Sequence, residues 1–329
     1  VPIYRLDTPD HASVIAQAAQ LLCSGELVAF PTETVYGLGA NALNADAVEK
    51  IFLAKGRPSY NPLIVHVENA DAARALALTW PAAAEKLAST FWPGPLSLVI
   101  PKKEHIPDIV TAGLRSVALR APAHPVAREL LRACGLPLAA PSANLFTELS
   151  PTTAAHVEAA LGERVSMILD GGMCNVGIES TVLDLTGPVP VLLRPGTISL
   201  EALQTVVGNI IVPTREDKGE SPRPSPGMIE RHYAPRARLI MLSEEMGNTD
   251  ITDKTGALLW SDLFHNGARS FDKVIVMPTD SAGYAQRLYG ALHELDNSGC
   301  SVIYVEPVPV DSSWSGIRDR LSRATKAKN

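Results

Sequence analysis

Apolar positions recur at two alternating periods through the first two-thirds of the chain. In HASVIAQAAQLLCSG, Val14, Ala18, Leu21 and Leu22 fall at helical spacing behind Asp7, Thr8 and Asp10, and Gly25 supplies a stop. ELVAFPTE then reads as a short buried strand. Residues 44–54 return to the helical period, with Ala47, Val48, Ile51 and Phe52 on one face. PLIVHV, LSLVIP and SVALRAP are compact apolar runs that predict strands, while residues 125–134 and 152–161 predict helices. LPLAAPSAN reads as a strand leading into a loop, and SMILDGG, STVLDL and VPVLLRPG as three more strands. Strands with intervening helices over this span predict an α/β or α+β sheet domain of about 200 residues.

The pattern breaks near residue 213. PTREDKGESPRPSPG is polar, charged and rich in Pro, Gly and Ser, so it predicts a linker or ordered loop rather than a packed element. A second pattern starts near residue 237. RLIML, GALLWS, KVIVMP and CSVIYVEPV predict strands. SAGYAQRLYGALHELDNSG predicts an amphipathic helix with Ala285, Leu288, Leu292 and Leu295 on one stripe, and WSGIRDRLSRATK a closing helix built on Trp314, Ile317 and Leu321. This alternation suggests a small Rossmann-like domain, although no G-x-G-x-x-G asks for a dinucleotide there. No internal repeat is visible.

Composition narrows the classes of function. A chain of 329 residues suits two domains, and 46% hydrophobic with 19% charged residues is ordinary for a globular protein. The net charge of -6 argues against binding RNA by bulk electrostatics, while leaving room for a local basic pocket that takes a small polyanion. Cys23, Cys134, Cys174 and Cys300 form no C-x-x-C pair, which disfavours zinc and suits a reducing compartment. No run approaches the ~18 apolar residues of a membrane span. The opening VPIYRLDTPDHAS lacks the basic-then-apolar order of a secretory leader. A cytoplasmic location is the expectation.

The common nucleotide signatures are absent, both the P-loop and the kinase glycine loop, and so are G-x-S-x-G and H-E-x-x-H. Six segments nevertheless gather polar groups at strand ends. PTETVYGLG, from Pro31 to Gly39, offers Thr32, Glu33 and Thr34 in a loop after a strand, either as turn caps or as ligands. In KGRPSYNPLIVH, Lys55 and Arg57 end a helix, where cations favour the dipole; the same pair suits a phosphate clamp. His66 lies on an apolar strand, as a satisfied core residue or a ligand. Arg120 ends another strand and needs an anion, supplied by a protein carboxylate or by a substrate. In APSAN, Ser142 and Asn144 leave a strand, and Ser150 reads equally as a helix N-cap. ESTVLD with LRPG adds Ser180, Thr181 and Arg194. The stretch SPGMIERHYAP places Arg231, His232 and Tyr233 inside the linker, a cluster that a bare tether does not need.

Taken in order, PTETVYGLGANA, KGRPSYNPLIVHV, SVALRAPAHP, PLAAPSAN, STVLDL and LLRPG resemble the YrdC-like family. With SPGMIERHYAP and the second α/β pattern, the chain resembles that family's long two-domain form, the threonylcarbamoyl-AMP synthases. The resemblance implies a twisted mixed-sheet α/β domain with a basic concave pocket at 1–212. It implies a linker folding back over the active site at 213–236, and a smaller Rossmann-like domain at 237–329. It implies conversion of ATP, L-threonine and bicarbonate to threonylcarbamoyl-AMP and pyrophosphate, for the threonylcarbamoyladenosine at position 37 of tRNA.

By the same resemblance, Thr32, His66, Arg120 and Ser180, with Thr181 beside them, would line the threonine side. Lys55, Arg57, Ser142, Ser150 and Arg194, with Asn144, would line the ATP side, under a lid carrying His232 and Tyr233. No side chain is expected as a nucleophile, because phosphoryl-type transfer asks mainly for positioning and charge neutralisation. Mg²⁺ is expected to arrive with ATP rather than in a protein cage. The expected partners are the substrates and the downstream tRNA threonylcarbamoyl-transferase machinery, with at most weak tRNA contact and no membrane. Two other readings remain at this point: an RNA-binding module, and a carbamoyl-adenylate enzyme of the hydrogenase-maturation type. The second normally brings C-x-x-C zinc fingers.

Overall fold

The computed structural model describes residues 1–213, 232–243, 254–261 and 270–326. The polar stretch from 214 to 231, with the SPGMIER part of the linker motif, lies outside the described residues. Ten strands form one sheet: β1 (Ile3–Arg5), β2 (Val28–Phe30), β3 (Gly37–Asn41), β4 (Ile64–His66), β5 (Leu96–Pro101), β6 (Ser116–Arg120), β7 (Leu138–Ala139), β8 (Met167–Asp170), β9 (Thr181–Asp184) and β10 (Val191–Arg194). Their order is β1-β8-β2-β3-β7-β4-β6-β5-β9-β10, with parallel and antiparallel neighbours mixed. A separate sheet has four strands, β11 (Arg238–Met241), β12 (Thr255–Leu259), β13 (Lys273–Val276) and β14 (Val302–Val305), all parallel in the order β11-β14-β12-β13.

The helices begin and end where local chemistry provides caps. After α1 (His11–Cys23), helix α2 (Ala45–Lys55) starts at Asn44, whose side chain accepts from the Asp46 and Ala47 amides, and ends at the left-handed Gly56. Helices α3 (Ala70–Leu76), α4 (Ala82–Phe91) and α5 (Asp108–Thr111) follow, then α6 (Pro125–Cys134), capped by His124 with Pro125 in its first turn. Helix α7 (Ala154–Leu161) is capped by Thr153, which accepts from the His156 amide. Ser150 is therefore not the cap that its position before the helix allows; Thr153 stands one residue from the first turn and takes that role. Helix α8 (Leu200–Val207) completes the larger unit. In the smaller one, α9 (Ser281–Asn297) starts at Asp280 and buries its whole predicted stripe, and α10 (Ser315–Ala324) buries Ile317 and Leu321.

The segment read as a loop from Pro31 to Gly39 divides in two. Residues 31–36 are a loop, but Gly37–Asn41 form β3, antiparallel to β2 and paired with β7. Gly39 is required there, since a Cβ would lie 2.7 Å from the Phe30 ring on the neighbouring strand. Separate apolar clusters cover the two faces of the large sheet, one reaching from Leu27 to Ile210 and the other built on α1 and α6. A third cluster belongs to the small unit yet includes Val35, Leu149 and Ile178 of the large one, so the two units share an apolar contact. That contact adjoins the polar residues described next.

Candidate functional site

Strand pairing assembles the site. Ile64 and His66 are two apart on β4 and share a face of the sheet. In the parallel pairing of β4 with β6, Arg120 stands directly opposite His66. Ser180 precedes β9 and Arg194 ends β10; since these strands are antiparallel, both residues sit at one end of the pair. A pocket is lined by Thr32, Arg57, His66, Arg120, Ser142, Ser180, Arg194, His232 and Tyr233, together with Thr34, Val35, Gly37, Ile64 and Glu179 among others. Thr181, Lys55, Asn144 and Ser150 are not among the lining residues.

Each of these four supports the wall from behind. Lys55, 2% exposed, donates to the Ser142 carbonyl at 2.5 Å and to the Asn144 carbonyl. Asn144 donates to the Leu145 and Glu148 carbonyls, at 2.8 and 2.9 Å. Thr181 exchanges hydrogen bonds with the Ile198 backbone. The Ser150 hydroxyl donates to Glu179 at 2.5 Å.

On the Arg120 side the anion is a protein carboxylate. Its Nη2 donates to Glu33 at 2.6 Å, its Nη1 to the Thr34 hydroxyl at 2.9 Å and its Nε to the Gly94 carbonyl at 3.2 Å. Thr34 is linked to Thr32 at 2.8 Å, and Thr32 donates to the Val35 carbonyl at 2.6 Å, so the loop's hydroxyls form one chain running from the guanidinium. Burial works against charge on Glu33, but the Arg120 charge and hydrogen bonds outweigh it and hold the carboxyl below its ordinary range. Among the described residues the buried His66 Nδ1 has no hydrogen-bond partner, which favours a ligand over a satisfied core residue. Burial, with Arg120 adding to it, pushes its pKa down to about 3, so the ring is neutral.

The Arg57 side has a different character. Its guanidinium donates to the Asn61 and Pro62 carbonyls, at 3.2 and 2.9 Å, and lies 5.9 Å from the Phe146 ring. Burial, with nearby Arg194 also contributing, pushes its pKa down to about 9. Burial and the Arg57 charge lower Lys55 far below its usual value, and burial with the surrounding cations does the same to His232. Arg194 donates to the Ser180 carbonyl and hydroxyl, both at 3.1 Å. Cations thus outnumber carboxylates around this end of the pocket, the arrangement that an entering polyanion would relieve.

His232 and Tyr233, the first described residues after the 214–231 stretch, line the pocket as well. Tyr233 is 1% exposed, and its φ of 61° lies in the left-handed region that a non-glycine residue enters only when its surroundings hold it there. The next residue, Ala234, donates its amide to the Thr147 carbonyl, and His232 packs edge-on to Phe146 and Tyr233. Three residues at the site carried no sequence signal as ligands. Glu179 heads the ESTVLD segment, where the hydroxyls after it and Arg194 drew the reading, while Tyr289 and Arg320 come from the smaller unit. Arg320 follows Ile317 by three residues, on the buried stripe of α10, and that spacing was its only legible mark.

A family model named Sua5_yciO_yrdC, described as telomere recombination, matches residues 20–196, and one for the threonylcarbamoyl-AMP synthase C-terminal domain matches 198–326. The chain is 42% identical to a threonylcarbamoyl-AMP synthase of Pyrococcus abyssi, over 94% of this chain and 93% of that protein. It is 44% identical to one of Bacillus subtilis, over 97% and 96%. The crystal structure of P. abyssi Sua5 complexed with L-threonine superposes with a TM-score of 0.89 at 39% identity, covering 98% of this chain and 97% of that one.

Proposed function

The chain belongs to the two-domain, Sua5-type threonylcarbamoyl-AMP synthases, and we propose that its pocket joins L-threonine, bicarbonate and ATP into threonylcarbamoyl-AMP with release of pyrophosphate. The threonine amine, once deprotonated, captures carbon dioxide with loss of a proton, or bicarbonate with loss of water, and becomes a carbamate. A carbamate oxygen attacks the α-phosphorus, pyrophosphate leaves, and a mixed anhydride with AMP results, for use by the machinery that modifies tRNA. The observation that carries this reading is Arg57: a buried guanidinium that, among the described residues, hydrogen-bonds only to carbonyls, in the same pocket as a His66 Nδ1 with no partner among those residues.

The residues divide the work. Arg57 and Arg194 offset triphosphate charge, and Lys55 fixes the 142–144 wall by holding its carbonyls. Arg120 uses three of its five N–H groups on Glu33, Thr34 and Gly94, which leaves donors for a substrate carboxylate alongside Ser180. Thr32 and neutral His66 orient the amino acid. His232 and Tyr233 exclude water from an anhydride that hydrolyses readily. In this reading residues 1–212 are catalytic, 213–236 the linker and 237–329 a Rossmann-like second domain.

Glu179 lines the pocket, and both of its oxygens are taken, by Ser150, Tyr289 and Arg320. A Mg²⁺ ion would therefore be ligated by the triphosphate and water. The test is pyrophosphate release from ATP by the purified chain across the common amino acids, with Mg²⁺ present. Release that requires both threonine and bicarbonate supports the reading, and release independent of either one overturns it.

A further inference from the structure

The two segments that carry Ser180 and Arg194 are gripped by one side chain from the other domain. Arg320 on α10 is fully buried and donates its Nε to the Glu179 carboxylate at 2.8 Å. Its Nη2 donates to the Glu179 carbonyl at 3.1 Å, and its Nη1 to the Pro195 carbonyl at 2.6 Å. These carbonyls belong to the residue before Ser180 and the residue after Arg194. A single planar fork therefore ties together the head of β9 and the end of β10. From α9, the Tyr289 hydroxyl reaches the same Glu179 carboxylate at 3.1 Å. The carboxylate in turn takes the Ser150 hydroxyl.

The helix can come this close only because position 316 is glycine. A Cβ there would lie 2.7 Å from the Gly196 carbonyl oxygen. The Arg320 guanidinium also faces the Tyr233 ring, 5.2 Å from its centroid, and Tyr233 is the residue that closes the pocket.

We infer that Arg320, with Tyr289, is a positioning residue of the synthase pocket: the C-terminal domain sets the places of Ser180, Arg194 and Ser150 through Glu179 and the Pro195 carbonyl. The second domain is thus part of the active-site wall as well as the anchor of the linker. This inference rests on the reaction assigned above.

Around Glu179 the titratable groups are Arg320 and Asp319 of α10, Tyr289 of α9, Arg194 of β10, and Tyr233. Burial alone would raise the Glu179 pKa, but Arg320 and then Arg194 reverse it, and the carboxyl stays below its ordinary range. Losing the hydrogen bond from Arg320 or from Tyr289 leaves the burial effect with a weaker counterweight, so Glu179 takes up a proton at higher pH and holds Ser150 less strongly.

The test uses the full chain carrying Arg320→Lys, which keeps the charge but loses the fork, or Tyr289→Phe, which removes only a hydroxyl. Pyrophosphate release is measured against L-threonine and against ATP from about pH 4 to 8.5, with threonine binding read separately by calorimetry. Arg320→Lys is expected to lower kcat/KM for threonine by at least about tenfold, and Tyr289→Phe by about two- to fivefold, with the acid limb moved toward neutral pH in both. Adding Glu179→Gln to either should abolish that movement of the limb. Folded variants with wild-type kinetics, threonine affinity and acid limb would overturn the inference, as would losses that only track the unfolded fraction. If Arg320→Lys does not fold, an unmoved limb in Tyr289→Phe decides against it. A wild-type chain that releases no pyrophosphate would instead refute the assigned reaction, and threonine affinity would then judge the wall alone.

Discussion

Removing Glu33 should expose how the pocket keeps a buried cation in place. Glu33→Ala leaves Arg120, whose side chain is 4% exposed, with the Thr34 hydroxyl and the Gly94 carbonyl as its remaining partners. It also strips the Ala123 amide of its acceptor, now 2.9 Å away. Breaking a buried ion pair from one side typically costs about 3–5 kcal/mol, because the other charge stays buried without compensation. That is about a fifth or more of the stability of an ordinary domain, which lies at about 5–15 kcal/mol. Glu33→Gln keeps the shape and an acceptor oxygen. It should cost less than the alanine variant, because Arg120 keeps an acceptor, but more than a neutral hydrogen bond, because its charge is still unpaired.

Urea unfolding of the full chain, followed by circular dichroism, separates the two variants. Saturating L-threonine should restore more stability to Glu33→Ala than to the wild type, because its carboxylate gives Arg120 the missing anion. An alanine variant within about 1 kcal/mol of wild type, or one no worse than the glutamine variant, would refute the reasoning. So would a threonine effect equal in both proteins.

Three further outcomes are expected. Arg57→Met removes a buried cation that, among the described residues, hydrogen-bonds only to carbonyls, so the thermal midpoint should stay within about 3 °C of wild type or rise; pyrophosphate release should fall by about a hundredfold or more, and a melt showing marked destabilisation would contradict the first half. The His66 pKa lies at about 3 in the folded chain against 6.5 when unperturbed, so below pH 6.5 the unfolded state binds the extra proton. Stability should then fall with falling pH by about 1.4 kcal/mol per unit, or about 2 kcal/mol by pH 5, and be unaffected by this group above pH 6.5. A His66→Phe variant with the same pH slope would count against that account. Gly316→Ala pushes a methyl against the Gly196 carbonyl and should cost about 1–3 kcal/mol at the domain contact, with a parallel loss of kcat/KM; wild-type activity at full stability would show that the contact is looser than 2.7 Å implies.

What could be read along the chain was whatever depends on near neighbours in sequence. Helices α1, α2, α6 and α9 declare themselves because their apolar stripes contrast with polar faces and their ends carry Asn, Asp, Pro or Gly, and α10 by its stripe alone. Helices α3 and α4 do not, since alanine fills so many positions in ADAARAL and AAAEKLASTF that the contrast is weak. Strand β3 is hidden for a related reason. Two of its five residues are glycines, poor strand formers that are tolerated because β2 and β7 pair on either side and Phe30 needs the space.

The same division runs through the site. Local sequence was enough to place Thr32, Arg57, His66, Arg120, Ser180 and Arg194 at the ends of strands and helices, and the motif order was enough to identify the family. It could not say that Lys55, Thr181, Asn144 and Ser150 stand behind the wall, nor that Arg120 spends its charge on Glu33, 87 residues away. Nor could it bring Arg320 to Glu179 across a separation of 141 residues. Helix caps, turns and strand runs are short-range balances that a few neighbouring residues decide. Which cation meets which carboxylate in the interior depends on strand order and on how the two domains pack, and so it is decided only when the whole chain has folded.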